Sequence, residues 1–197
     1  MERWTHAERA AHRGRILQIK ITLLGTEPPV WRRVLVSDRL TLEDLHQVVQ
    51  RSMGWENMHL HMFEIGGVRY GEQPDEVWED MPGVRDQANT PLLALGLEPG
   101  DAFSYHYDFG DNWWHELLIE EDCGYMPTIR YPRCMDGARA CPPEDVGSIA
   151  GYERFVRAIN DPDDEEFVMY TLWIGGSFDP EAFDRKAANR RLRRIRR

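Results

Sequence analysis

A chain of 197 residues, 42% hydrophobic and with seven tryptophans, can bury one sizeable core, and this composition excludes an intrinsically disordered protein. No apolar run approaches the roughly 20 residues that cross a bilayer, and Met1 to Arg15 is polar where a secretion signal would be apolar, so cytoplasmic residence and no membrane partner are expected. The net charge of −10 rests on an acidic body that is not expected to bind nucleic acid by general electrostatics, so any such contact would come from the C-terminal tail, and three cysteines do not suggest an oxidising compartment.

Ile16 to Leu24 alternates, with Leu17, Ile19, Ile21 and Leu23 on one face, and predicts a strand. Gly25-Thr26-Glu27-Pro28-Pro29 is a turn, after which Val30 to Val36 returns as a second strand. On that strand Arg32 and Arg33 point to opposite faces, so they cannot form one basic patch. One of them is expected to pair with an acid such as Asp108 or Asp111, with anion binding as the alternative. Thr41 caps a helix whose apolar stripe is Leu42, Leu45, Val49 and Met53, and Gly54 ends it. His59 to Ile65 alternates again, and past the Gly66-Gly67 turn Val68-Arg69-Tyr70 pairs back. Residues 71–91 read as an acidic surface loop, and Leu92 to Leu97 as a short helical turn.

The densest stretch follows. Tyr105 to His115 holds five aromatic rings other than histidine, two acids and two histidines. Phe103, Tyr105, Tyr107 and Phe109 share one strand face; Trp113, His115, Leu117 and Ile119 share another. Gly110-Asp111-Asn112 between them tolerates a tight connection, giving a β-hairpin with its polar groups at the turn. Cys123 to Gly147 is irregular. Helices resume with Tyr152, Phe155, Val156 and Ile159 at helical spacing, and again over Glu165 to Ile174, halted by Gly175-Gly176. Asp179-Pro180 is an N-cap and first-turn pair for a last helix whose narrow apolar stripe is Ala188, Leu192 and Ile195. The organisation expected is a polar tail (1–15), one α+β domain (16–184) with an antiparallel sheet of hairpins packed on helices, and an Arg-rich helix or tail (185–197).

Three groups of residues carry candidate chemistry. The first is the hairpin end, where Tyr107, Asp108, Asp111, Trp113 and His115 neighbour the His59/His61 strand and the Glu144-Asp145 loop. Carboxylates with imidazoles suit a divalent metal and metal-assisted hydrolysis. The bland reading makes Asp111 a turn cap, the histidines core donors and Glu144-Asp145 a helix entrance. The second is Cys134 and Cys141, a zinc-ligand pair or a buried thiol pair; their spacing is not that of a zinc finger. The third is the C-terminal segment, where Arg185, Lys186, Arg190, Arg191, Arg193, Arg194, Arg196 and Arg197 give +8 and leave −18 on the rest. Arg190, Arg191, Arg193, Arg194, Arg196 and Arg197 are candidates for contacting nucleic acid or a protein partner, or for folding back on the acidic body. Asp108-Phe109-Gly110 spells the kinase metal-binding tripeptide by coincidence, because the phosphate and catalytic loops are missing.

The order of Pro29-Val30-Trp31-Arg32-Arg33, Leu42, Leu45, His46, Gly54-Trp55, His59-Leu60-His61-Met62-Phe63, Tyr105, Tyr107-Asp108-Phe109-Gly110-Asp111, Trp113, His115, Tyr131-Pro132-Arg133-Cys134, Gly137, Cys141 to Gly147 and Gly151-Tyr152 resembles the Ri-plasmid ORF-three-like family. The likeness spans roughly residues 16–185. These are passenger proteins of plasmids and insertion elements, sometimes labelled TnpR-like. The resemblance implies no established reaction, substrate or cofactor. The label would imply a serine recombinase, yet no serine here reads as a nucleophile set among arginines. Where the family usually has a second glycine after Gly147, this chain has Ser148, which either turns the connection differently or caps a helix. The expected function is a binding or interaction module, with metal-dependent hydrolysis through Asp108, Asp111, His115 and a His59 or His61 ligand as the alternative, and tail-mediated nucleic-acid binding as a third.

Overall fold

A computed structural model describes residues 14–72 and 83–195. Most of the N-terminal tail, the middle of the acidic loop, and Arg196 and Arg197 therefore lie outside the described residues. β1 (Ile16–Leu23) and β2 (Val30–Ser37) form the expected hairpin, with Leu23 opposite Val30 and Ile16 opposite Ser37. Alternation buries Leu17, Ile19, Ile21 and Leu23 to within 1% of complete. α1 (Leu42–Met53) starts in a capping box: Asp44 N–H donates to Thr41 Oγ1, and Thr41 N–H donates back to the Asp44 carboxylate. Then come β3 (His61–Ile65), β4 (Val68–Gly71), β5 (Arg85–Asp86), a 3-10 turn (Leu92–Leu95), β6 (Ala102–Tyr107), β7 (Trp113–Asp122), β8 (Arg133–Ala138), α2 (Ser148–Ile159), α3 (Phe167–Ile174) and α4 (Arg185–Leu192).

The strands make one sheet in the order β5-β4-β3-β6-β7-β1-β2-β8, antiparallel except for the short β4–β5 pair. The fold class is α+β. One sheet face and the apolar sides of α1, α2 and α4 share a single core, to which the C-terminal stripe Ala188, Leu192 and Ile195 belongs. On the other face, Ile16, Leu35 and Tyr131 form a small separate cluster. Among the described residues no helix is long and apolar enough to cross a membrane.

Three elements differ from expectation: β5, which lies within the surface loop expected over residues 71–91, β8, and the start of the last helix. The Cys123–Gly147 region contains β8, whose sequence Arg-Cys-Met-Asp-Gly-Ala does not alternate because its register against β2 shifts at Arg33/Val34. The last helix starts five residues later than Asp179-Pro180 suggests. Asp179 Oδ1 accepts from Glu181 N–H in a local turn, and Asp184 caps the helix through Ala187 N–H. Ser148 is not a side-chain cap: it opens α2 at φ +66 directly after Gly147 at φ +92. That conformation costs a non-glycine residue about 1–2 kcal/mol.

Arg32 is 2% exposed and meets no carboxylate. Its guanidinium donates to Ser52 O (3.1 Å), Trp31 O (2.7 Å), Ala138 O (2.7 Å) and Arg139 O (2.9 Å), and lies 4.4 Å from the Phe183 ring centre. Phe183 packs so closely on Gly137 that a Cβ there would stand 2.8 Å from the ring. Arg33, on the opposite face, pairs with Glu120 and, more loosely, Asp136. Neither arginine pairs with Asp108 or Asp111, because the carbonyls and Glu120 are nearer along the sheet.

Replacing Arg32 by Met leaves buried carbonyls unpaired and is expected to lower stability by about 3 kcal/mol or more, with Lys recovering only part because it lacks the planar fork. An unchanged urea midpoint for Arg32→Met would refute the clamp. Ser148→Gly is expected to raise stability by about 1 kcal/mol, read as an upward shift of the same midpoint.

Candidate functional site

The hairpin end is built by Asp108, the residue after β6, held at φ +55. Its Oδ1 accepts from Gly110 N–H (2.9 Å) and Asp111 N–H (3.2 Å), and its main-chain carbonyl accepts from Asn112 N–H (2.6 Å). Asp108 thus caps the turn, the role that sequence would give to Asp111. One carboxylate oxygen, Oδ2, is left over and points to His59 Nε2 at 3.7 Å. Asp111 faces elsewhere, with Oδ2 accepting from Gly147 N–H (2.9 Å).

Two loops are fastened over this turn. The Trp55 indole N–H donates to Pro142 O (2.9 Å), Glu56 N–H donates to Glu144 Oε1 (2.9 Å), and Met58 N–H donates to Tyr107 Oη (3.0 Å). The Tyr107 hydroxyl in turn donates to Glu144 Oε1 (2.9 Å), so Glu144 ties the loop after α1 to the loop before α2. Burial, reinforced by Glu144, pushes the Tyr107 hydroxyl well above its usual pKa. Asp145, at φ +60, then reaches His59 Nε2 with Oδ1 at 2.9 Å. His59 Nε2, Asp108 Oδ2 and Asp145 Oδ1 converge from three segments of the chain. The ligand-capable atoms of the three residues lie within 4.8 Å of one another. Side-chain exposure grades from 9% at Asp108 through 31% at His59 to 68% at Asp145, so the group opens outward from a fixed floor.

The other expected members lie beneath this group. β3 begins at His61, two residues after His59, so the two histidines do not share a strand face. His61 is buried, stacked on His46 at 3.4 Å between ring centres, with Nε2 on Gln87 Oε1 (2.9 Å). His115 is fully buried edge-on to Trp55, its Nδ1 on Trp113 O (3.1 Å) and its Nε2 without a hydrogen-bond partner in the described residues. Trp113 is fully buried core.

The proton positions around His46 follow from fixed donors. Asn57 N–H donates to Gln50 Oε1 (3.0 Å), so Gln50 Nε2 donates to Tyr105 Oη (3.0 Å). The Tyr105 hydroxyl then donates to His46 Nδ1 (2.7 Å), and His46 Nε2–H to Asn57 Oδ1 (2.7 Å). The chain closes with a neutral imidazole. Burial, with the His61 ring adding to it, brings His46 down to about 3; burial brings His61 to about 4 and, with His106 adding to it, His115 to about 3.

The remaining candidates separate. Cys134 and Cys141 are free thiols; burial pushes Cys141 up to about 12, and neither joins a set of three metal-ligating side chains among the described residues. In the tail, Arg191 Nε donates to Arg51 O (2.8 Å), and Arg194 lines a cleft with Glu43 and Asp44. Arg190 and Arg193 face a different cleft, described below.

The profile of the family described as plasmid pRiA4b ORF-3-like protein matches residues 15–187. The chain belongs to that family. An uncharacterised protein, y4hQ, of Sinorhizobium fredii is 39% identical over 175 residues, 88% of this chain and 86% of its own. A crystal structure of a protein of unknown function from Methanosarcina mazei Go1 superposes with a TM-score of 0.79 at 33% identity, covering 87% of this chain and 96% of that one.

In this ORF-3-like protein the residues that sequence reasoning missed are Asn57 and Gln87, which bond His46 and His61, and Gln50, which fixes the Tyr105 hydroxyl beside His46. Gln50 stands on the buried side of α1, and a polar residue there is the one signal that would have found it. Each buried imidazole binds its proton far below the usual 6.5 when folded and near it when unfolded. The unfolded state therefore takes up protons first as pH falls, and stability is lost from about pH 6.5 down to about 4 for His61 and about 3 for His46 and His115, by up to about 1.4 kcal/mol per pH unit for each histidine. Urea midpoints at pH 7 and pH 5 check this; equal values would contradict the neutral cluster.

Proposed function

We propose that this ORF-3-like protein is a binding module that holds a divalent cation at the hairpin end and engages its ligand there. The reading is supported by one observation above all, the convergence of His59 Nε2, Asp108 Oδ2 and Asp145 Oδ1. One imidazole and two carboxylates suit a borderline or hard ion such as Zn²⁺ or Mn²⁺. Three ligands on an outward-opening floor leave coordination positions for oxygen atoms of an anionic ligand. Nearby acids are engaged, Glu144 Oε1 by two hydrogen bonds and Asp111 by Gly147, and Glu144 Oε2, which has no partner among the described residues, is closed off from solvent. A free general base beside the group is what hydrolysis would add, and binding needs none.

Calorimetric titration of the full chain with Mn²⁺ and with Zn²⁺ is expected to give one saturable site. Asp145→Asn, at an exposed position, and His59→Gln should each weaken it by about tenfold or more. Asp111→Asn should leave the affinity within a factor of about two, since that carboxylate faces away. Saturable binding unaffected by both ligand substitutions, or no binding at all, would overturn the assignment. Hydrolysis of an activated phosphodiester that needs both the ion and His59 would replace binding by catalysis.

A further inference from the structure

β8 and α4 flank a cleft of about 530 Å³. Six exposed cations line it: Arg130 and Arg133 from the β8 side, and Arg185, Lys186, Arg190 and Arg193 from α4 and its end. Among the described residues no acidic side chain lines it. Helical spacing explains the concentration. Lys186, Arg190 and Arg193 recur at i, i+4 and i+7, opposite the buried Ala188, Leu192 and Ile195 stripe. The polar contacts recorded inside the cleft leave the charge in place, since Arg130 donates to Arg193 O and Arg185 to Met135 O. Among the described residues the one carboxylate paired with a lining cation is Asp184, 3.6 Å from Arg190 on an exposed surface, where such a pair is weak.

We infer that this cleft binds the phosphate backbone of a nucleic acid. Five guanidinium forks and an ammonium match phosphate oxygens, which accept paired N–H donors. An acidic peptide is the poorer fit. Asn189 already occupies the outer edge of β8, taking Cys134 N–H on Oδ1 (3.0 Å) and donating to Cys134 O (2.8 Å), so a peptide cannot add there as a strand. Apart from Pro132 the lining offers no apolar pocket for side chains, and it has no aromatic ring on which a base could stack. The contact is therefore expected to be made with phosphates and to carry little sequence preference. Setting the six cations aside leaves −16 on the rest of the chain, so on balance the rest of the chain repels a polyanion. The cation site proposed above shares none of these residues, and either assignment can fail alone.

Fluorescence anisotropy of the full chain with labelled 20-nucleotide duplex and single strands, between 50 and 200 mM salt, tests this. Binding is expected with little sequence dependence, and log K should fall with log salt at a slope of about −3 to −5, for roughly four to six phosphates neutralised. Lys186→Glu with Arg190→Glu and Arg193→Glu should weaken binding by about a hundredfold or more, with the circular dichroism spectrum unchanged. Arg133→Glu on the strand side should weaken it by about tenfold, and Arg194→Glu, in the other cleft, by less than about threefold. No binding at 50 mM salt, or binding that survives both cleft variants, would overturn the inference. Equal or tighter binding of a poly-glutamate peptide would assign the cleft to an acidic protein instead. Preference for inorganic phosphate or for anionic phospholipid vesicles over the oligonucleotides would likewise reject it.

Discussion

The guanidinium of Arg32 holds together the two loops on which the hairpin end depends. A buried charge with four carbonyl partners and no carboxylate is tolerated only if its N–H groups are paired. Those partners are the end of α1 (Ser52), its own strand (Trp31) and the exit of β8 (Ala138, Arg139). The chain needs seven residues to run from Ser52 to His59, and six from Arg139 to Asp145. Both loops leave from one clamp and meet again over Tyr107. Their meeting is sealed by Trp55 on Pro142 and by Glu144, which accepts from both Glu56 and Tyr107. The position of His59 against Asp145 is thus a consequence of packing these two short loops between fixed ends.

Below that roof the hairpin carries a layer of polar aromatics that must stay uncharged. Tyr105, His46, Gln50 and Asn57 form a chain in which every proton has one direction, and the His46–His61 stack at 3.4 Å could not hold two imidazolium charges in a dry site. Burial therefore divides the histidines around the hairpin. His46, His61 and His115 are neutral core, and His59, outside β3 and 31% exposed on its side chain, is left for contact with solvent or a ligand.

Much of this architecture was legible in the sequence because burial on one face forces period-two or helical patterns. β1, β2, β6 and β7, the Thr41 cap and the Gly54 stop were all readable that way. β8 was not, because an edge strand with a register shift has no reason to alternate. The start of α4 was misjudged because Asp179 and Asp184 are both plausible caps, and only packing of Ala188 against the core decides between them. At the hairpin end the residues were readable in the sequence but their pairing was not. Asp108 and Asp111 are three residues apart and turn to different partners, and His115, two residues past the buried Trp113, shares its core-facing side. Asp145 joins His59 only through a fold that brings positions 86 apart together.

The C-terminal helix shows why counting charges along a segment misleads. Its arginines form a run in sequence, but the buried stripe fixes the helix rotation and so sorts them by angle. Arg191 is drawn to the end of α1, Arg194 to the side of Glu43 and Asp44, and Lys186, Arg190 and Arg193 into the cleft beside β8. Asn189 sits between the cleft cations and closes the exposed edge of β8, a liability that edge strands must otherwise manage with charge or proline. The helix face that carries the cations thus also supplies the amide that covers the sheet edge, and loss of that amide would uncover Cys134 N–H and O.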